Sequence, residues 1–139
     1  MIQQKICLEQ KYPKLIDDIS LSKDKKTLSL KIRLQPSSES IVYQVLIWLT
    51  VGKYPKARII DPPEIAKYNG EKPHHLYDGD KDGQERLCVF YPRWHEWNGS
   101  MPLSDTFIPW TITWLRAYEY WQIIGEWVYP DYIDGQKEG

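Results

Sequence analysis

Pro73-His74-His75-Leu76-Tyr77-Asp78-Gly79-Asp80-Lys81-Asp82-Gly83-Gln84-Glu85-Arg86-Leu87-Cys88-Val89-Phe90-Tyr91-Pro92 is the stretch on which the reading of this chain turns. It opens with an X-Pro bend, crosses a loop rich in Gly and Asp, and closes with a short apolar run carrying Cys88. Gly79 and Gly83 permit tight turning, so the chain can double back and bring its Pro-His-His end near the cysteine. The period of two from Leu87 to Tyr91 predicts a strand. Leu87, Val89 and Tyr91 then share one face, and Arg86, Cys88 and Phe90 the other. With the core on the Leu/Val/Tyr face, Cys88 is expected to point outward, toward the loop that holds His74 and His75. The competing reading is plain: a lone cysteine between Leu and Val is more often a small buried hydrophobe than a nucleophile.

Upstream of this stretch the pattern is that of an antiparallel meander. Ile41 to Thr50 is rich in Val, Ile, Tyr and Trp and reads as a central strand, broken by Gly52 and Pro55. Ala57 to Ile60 gives a further short strand, closed by Asp61-Pro62-Pro63. Before them lies a hairpin, with Ile16 to Leu21 as one arm and Thr27 to Leu34 as the other. Leu28, Leu30, Ile32 and Leu34 alternate strictly with Ser29, Lys31 and Arg33, the signature of a half-buried strand. Residues 2 to 11 are expected to form a short helix with Ile2, Ile6 and Gln10 on one side, stopped by Pro13.

Downstream comes the longest helical signal. Leu103-Ser104-Asp105-Thr106 offers capping residues, Pro109 suits a first turn, and Gly125 marks a C-terminal stop. Trp110, Trp114, Ala117 and Trp121 form one stripe, with Ile108, Ile112, Leu115 and Tyr118 beside it. One side suffices to cover a small sheet, so the aromatic stripe is expected to leave at least one of Trp110, Trp114 or Trp121 exposed for docking. The alternative is that all three bury against the Trp127–Tyr132 tail. Gln136 to Gly139 reads as a frayed end.

Composition narrows the function classes. The chain of 139 residues suits one domain, 1–139, with one core. A formal charge of −1 supplies no basic field for nucleic acid. The first residues lack the continuous apolar run of a signal peptide, and Ile41 to Val51 is too short to span a bilayer, so no membrane association is expected. Two cysteines without a secretory signal suggest free thiols in a reducing cytoplasm. Seven Trp and ten Tyr, crowded toward the C-terminal half, predict broad aromatic packing.

The order of elements, with Tyr43-Gln44-Val45, Tyr54-Pro55, Pro62-Pro63, Pro73-His74-His75-Leu76-Tyr77, Leu87-Cys88-Val89-Phe90-Tyr91-Pro92 and Glu96-Trp97, is recognisable. Ile108-Pro109-Trp110, Trp114-Leu115, Tyr118-Glu119, Trp121 and Gly125-Glu126-Trp127 continue the match. The chain resembles the ubiquitin-conjugating (UBC) fold and, more narrowly, the prokaryotic conjugating enzymes of type II CBASS anti-phage operons. The resemblance implies an α+β, UBC-like fold: N-terminal helix, four-stranded antiparallel meander, cysteine loop and long C-terminal helix. It implies an enzyme that carries the C-terminal carboxylate of a cGAS-like nucleotidyltransferase (CD-NTase) as a thioester on Cys88 and passes it to an amine. It requires no cofactor and no metal. Eukaryotic relatives carry His-Pro-Asn upstream of the cysteine, and aligning on Tyr77 puts His75 where that asparagine stands. Relatives that carry an ATP-dependent activating domain in the same chain are longer, so this one resembles the stand-alone form, charged by a separate activating enzyme or by a mechanism the sequence does not show.

The chemistry asks for one accessible thiol and an oxyanion donor. A thiol of reference pKa about 8.5 supplies some thiolate near neutrality, so no strong base is demanded. His75 can donate a ring N–H to the tetrahedral intermediate, or merely pin its loop by hydrogen bonding; the sequence leaves both open. His74 reads as solvent-facing. Asp78 and Asp80, as substrate-binding residues, with Asp82 and Glu85, can steer or deprotonate an incoming lysine, or simply solvate the loop. Zinc ligation by His74, His75, Cys88 and His95 matches no compact ligand spacing, and a Cys–His hydrolase lacks a third residue to orient His75. The stronger competitor is a non-catalytic UBC-fold scaffold binding the nucleotidyltransferase through its aromatic C-terminal helix.

Overall fold

The computed structural model describes residues 1–77, 85–90 and 96–128. Helix α1 (Ile2–Lys11) precedes a four-stranded antiparallel sheet of β1 (Ile16–Leu21), β2 (Thr27–Leu34), β3 (Tyr43–Thr50) and β4 (Lys56–Asp61), paired in chain order. A two-stranded ladder follows, β5 (Leu76–Tyr77) with β6 (Arg86–Leu87). A 3-10 turn (Leu103–Asp105) leads into α2 (Phe107–Ile124). The class is α+β, with the N-terminal helix, meander and long C-terminal helix that the sequence predicts.

Alternation builds the sheet. In β2, Leu28, Leu30, Ile32 and Leu34 are buried while Lys31 and Arg33 are exposed. The register sets Leu28 opposite Leu49, Leu30 opposite Ile47 and Ile32 opposite Val45, so the inward face is a ladder of cross-strand aliphatic pairs. Ala57 and Ile59 extend that face into β4.

Helix α1 differs from its expected face. Ile2 and Ile6 are exposed, at 51% and 38%, and Leu8 is the fully buried residue. The reason is that polar ties set the helix's rotation. Gln4 Nε2 donates to the Met101 carbonyl at 2.9 Å, Gln4 Oε1 accepts the Leu103 N–H at 2.8 Å, and Tyr12 Oη donates to the Ser104 carbonyl. Gln4, Leu8 and Tyr12 are spaced four apart on one face. A pattern search restricted to apolar residues misses a face whose first member is a glutamine.

The aromatic stripe of α2 is core, which corrects the expectation of an exposed tryptophan. Trp114 and Trp121 are buried and Trp110 is half-buried. Three separate segments cover them: Phe90 packs on Trp110 at 5.9 Å, Trp127 on Trp114 at 5.2 Å, and Tyr68 on Trp121 at 6.0 Å. The Tyr129–Tyr132 part of the tail and the 136–139 end lie outside the described residues. The exposed apolar residues at this end of the helix are Ile123 and Ile124. No described helix is long and apolar enough to cross a membrane.

Candidate active site

The chain doubles back, pairing Leu76 with Leu87 and Tyr77 with Arg86. One residue beyond that ladder, the Cys88 N–H donates to the His75 carbonyl at 3.0 Å. The same carbonyl accepts Trp114 Nε1–H from α2, also at 3.0 Å. The His75 backbone is thus fixed from two sides, by the residue that bears the thiol and by the middle of the long helix. The Pro-His-His end and Cys88 do meet.

The outward-facing cysteine does not survive. The ladder stops at Leu87, and Leu87, Cys88, Val89 and Phe90 are all buried, Cys88 retaining 8% exposure. Alternation fails because this run is walled on several sides: β6 lies against β4, and the Phe90 ring meets Tyr54, Phe107 and Trp110. Cys88 Sγ lies 4.0 Å from the Phe90 carbonyl oxygen, a weak thiol contact, and Tyr77 Oη donates to the same oxygen at 3.1 Å. Cys88 and Cys7 are both free thiols, Cys7 half-buried on α1. Tyr91, the last residue of the expected strand, lies outside the described residues.

The His75 ring stacks on Trp127, with centroids 4.7 Å apart and planes 24° from parallel. His74 is exposed. Beside the stack lies a cleft of about 480 Å³ whose lining includes Tyr68, Glu71, Lys72, His75, Trp121 and Trp127. On another side, Leu87 and Val89, the chain neighbours of Cys88, line an apolar pocket of about 400 Å³ with Tyr54, Tyr77 and Phe90. Glu85 is not loose in the acidic loop. It pairs with Lys72, whose hydrogen bond holds the Glu85 carboxyl below its ordinary range. Asp78 and Asp80, with Asp82, Gly79, Gly83 and His95, lie outside the described residues. Among the described residues, no three His, Cys, Asp or Glu side chains gather in a group able to hold a metal.

Trp127 is the residue that sequence reading undervalued. Gly125 takes the left-handed conformation at φ 76°, capping α2 with its N–H on the Trp121 carbonyl. Two residues later the indole lies against both Trp114 and His75. Glycine as a helix stop is readable from sequence; the direction in which the chain then returns is not. Trp127 Nε1 is buried without a hydrogen-bond partner among the described residues, a condition that costs on the order of 1–3 kcal/mol.

A helix-first, meander-and-long-helix α+β fold, with a cysteine tied to a histidine beside a short ladder, is consistent with an E2-like, conjugating-enzyme class of protein. The profile of the type II CBASS E2 protein family matches residues 4–134, and the chain belongs to that family. Its role is accordingly an E2-like one in CBASS anti-phage systems. No curated protein matches it.

Proposed function

We propose that this protein is a cysteine-dependent acyl transferase of the ubiquitin-conjugating type, with Cys88 as the acyl carrier. The observation that carries the reading is the 3.0 Å bond from the Cys88 N–H to the His75 carbonyl. It fixes the thiol-bearing residue beside the histidine in a chain of this family. The donor is the C-terminal carboxylate of a cGAS-like nucleotidyltransferase, delivered in activated form by an activating enzyme. The thiolate attacks the activated carbonyl carbon, a C–S bond forms, and the activating group leaves. An amine then displaces the sulfur. His75 supplies a ring N–H to the oxyanion, and Asp78 and Asp80 steer the amine. The scaffold alternative loses support, because Trp114 and Trp121 on the aromatic side of α2 are buried and Trp110 is half-buried.

Intact-protein mass spectrometry of the protein with the nucleotidyltransferase and its activating partner tests the proposal. A thiol-sensitive adduct is expected on the wild type and on Cys7→Ser, and none on Cys88→Ala. A Cys88→Ala protein that still acquires a thiol-sensitive adduct removes Cys88 from the role, and a complex without any adduct favours the scaffold.

A further inference from the structure

We propose that Trp114 is a positioning residue for the cysteine. From inside α2 its indole N–H holds the His75 carbonyl, and that carbonyl in turn fixes where the Cys88 backbone stands. The proposal rests on the reading of Cys88 as acyl carrier.

The frame around Cys88 has little support of its own. The β5–β6 ladder consists of two residue pairs, and an isolated two-stranded piece is marginal in water. The bond from the Cys88 N–H to the His75 carbonyl, at 3.0 Å, extends it by one step. Helix α2 supplies an outside reference. It runs 18 residues from Phe107 to Ile124, and Trp114 lies away from both fraying ends. A carbonyl oxygen has two lone pairs, so the His75 oxygen accepts Trp114 Nε1–H at 3.0 Å without giving up Cys88. The indole is itself held. It stacks on Tyr118, one turn along the helix, with centroids 5.2 Å apart and planes 28° from parallel, and Trp127 packs on it at 5.2 Å. Trp127 also stacks on the His75 ring, so the ring and the carbonyl of His75 are both referred to one indole.

Trp114 has no solvent exposure, so it touches no substrate and its effect passes through His75. That effect can be large, because a displacement of about 1 Å at a reacting group can lower a rate on the order of a hundredfold. Removing the donor alone still leaves the His75 carbonyl its bond from Cys88, so no buried acceptor is orphaned and global stability changes little. The N–H therefore serves the place of the thiol, and the ring serves the core.

Replacing Trp114 by 3-benzothienylalanine keeps the bicyclic ring and puts sulfur where the N–H stands. In hydrogen exchange followed by NMR, the Cys88 amide of this analogue is expected to exchange about three- to tenfold faster, with Leu30 and Ile47 of the sheet unchanged. In charging of Cys88 by the nucleotidyltransferase and its activating enzyme, kcat is expected to fall about ten- to a hundredfold, with KM for the donor near wild type. Trp114→Phe is expected to show the same loss of kcat together with a lower Tm. Leu115→Ala removes fully buried core from the same helix and leaves the bond in place, so it is expected to lower Tm and, assayed well below that Tm, to keep kcat. Unchanged exchange at Cys88 in the analogue, or a kcat equal to wild type, overturns the inference, while the reading of Cys88 stands on the wild-type thioester. A loss of kcat as large in Leu115→Ala also overturns it, since core stability then accounts for the effect. If the wild type forms no thioester at Cys88, the positioning role in transfer falls together with the underlying reading.

Discussion

His75 is held by its carbonyl, and this separates two roles that a histidine can play here. Loop pinning is at least partly a backbone function at this position, because the bonds from the Cys88 N–H and Trp114 Nε1–H end on the main chain. Any residue at 75 retains those bonds. The ring stacks on Trp127. His75→Ala therefore keeps the loop and loses the stack, worth about 0.5–1.5 kcal/mol. It should lower Tm by only a few degrees while slowing acyl transfer roughly ten- to a thousandfold. His75→Phe is the sharper variant, since it keeps the stack and removes the N–H donor. Its transfer rate is expected to fall like that of His75→Ala with a Tm close to wild type. A His75→Phe protein that transfers at the wild-type rate takes the ring nitrogens out of the mechanism.

Among the elements, the end of α2 depends most on one small residue. Gly125 has φ of 76°, and a Cβ there would stand 2.5 Å from the Tyr68 ring. Gly70 has a similar φ of 80° but nothing within 4 Å of a would-be Cβ. The pair separates backbone strain from collision. Gly70→Ala should cost about 1 kcal/mol, the price of the left-handed conformation alone. Gly125→Ala should cost at least about twice that, because the Tyr68 ring must leave Trp121 as well. In urea titrations, Tyr68→Ala added to Gly125→Ala is expected to recover part of the difference. Equal losses for the two single variants would mean that the collision relaxes freely.

The same end of the helix shows why some elements were legible and others not. β2 could be read residue by residue, since one of its faces is core and the other solvent. The doubling back of the cysteine loop was expected and the pairing of Leu76 with Leu87 bears it out, and the helix stop at Gly125 was legible too. The burial of Cys88 was not, because the period of two predicts a face only where a strand has two different sides. From Leu87 to Phe90 both sides are protein. The fate of Trp110, Trp114 and Trp121 was hidden for a related reason. Their covers, Phe90, Trp127 and Tyr68, come from three segments distant in sequence, and helical periodicity carries no information about them.

At the scale of the whole molecule, sheet and helix are joined through buried phenols. Tyr43 of β3 donates to Glu119 Oε2 at 3.1 Å, Ser40 Oγ donates to Oε1 of the same carboxylate at 2.7 Å, and the Tyr43 and Tyr118 rings meet edge on. Tyr118 Oη accepts the Ala66 N–H at 2.7 Å, tying α2 to the segment after β4. Burial pushes the Tyr43 phenol well above its ordinary range, and the Glu119 carboxylate pushes it further. Burial also raises Tyr118, partly offset by the Ala66 N–H, and raises Tyr12 beneath α1. The folded state therefore keeps these protons after the unfolded chain begins to release its own near pH 10. Above that pH the unfolded state binds fewer protons than the native one, so stability falls as pH rises. Below about pH 9 the three phenols are protonated in both states and contribute no pH dependence. The urea midpoint, followed by circular dichroism, should show no decline from these groups up to about pH 9 and then fall steeply between roughly pH 9.5 and 11. In Tyr43→Phe the alkaline fall should be shallower, even though the variant is less stable at neutral pH for want of the Glu119 bond. An alkaline fall of undiminished slope in Tyr43→Phe would show that the Tyr43–Glu119 junction is not what joins the sheet to the helix at high pH.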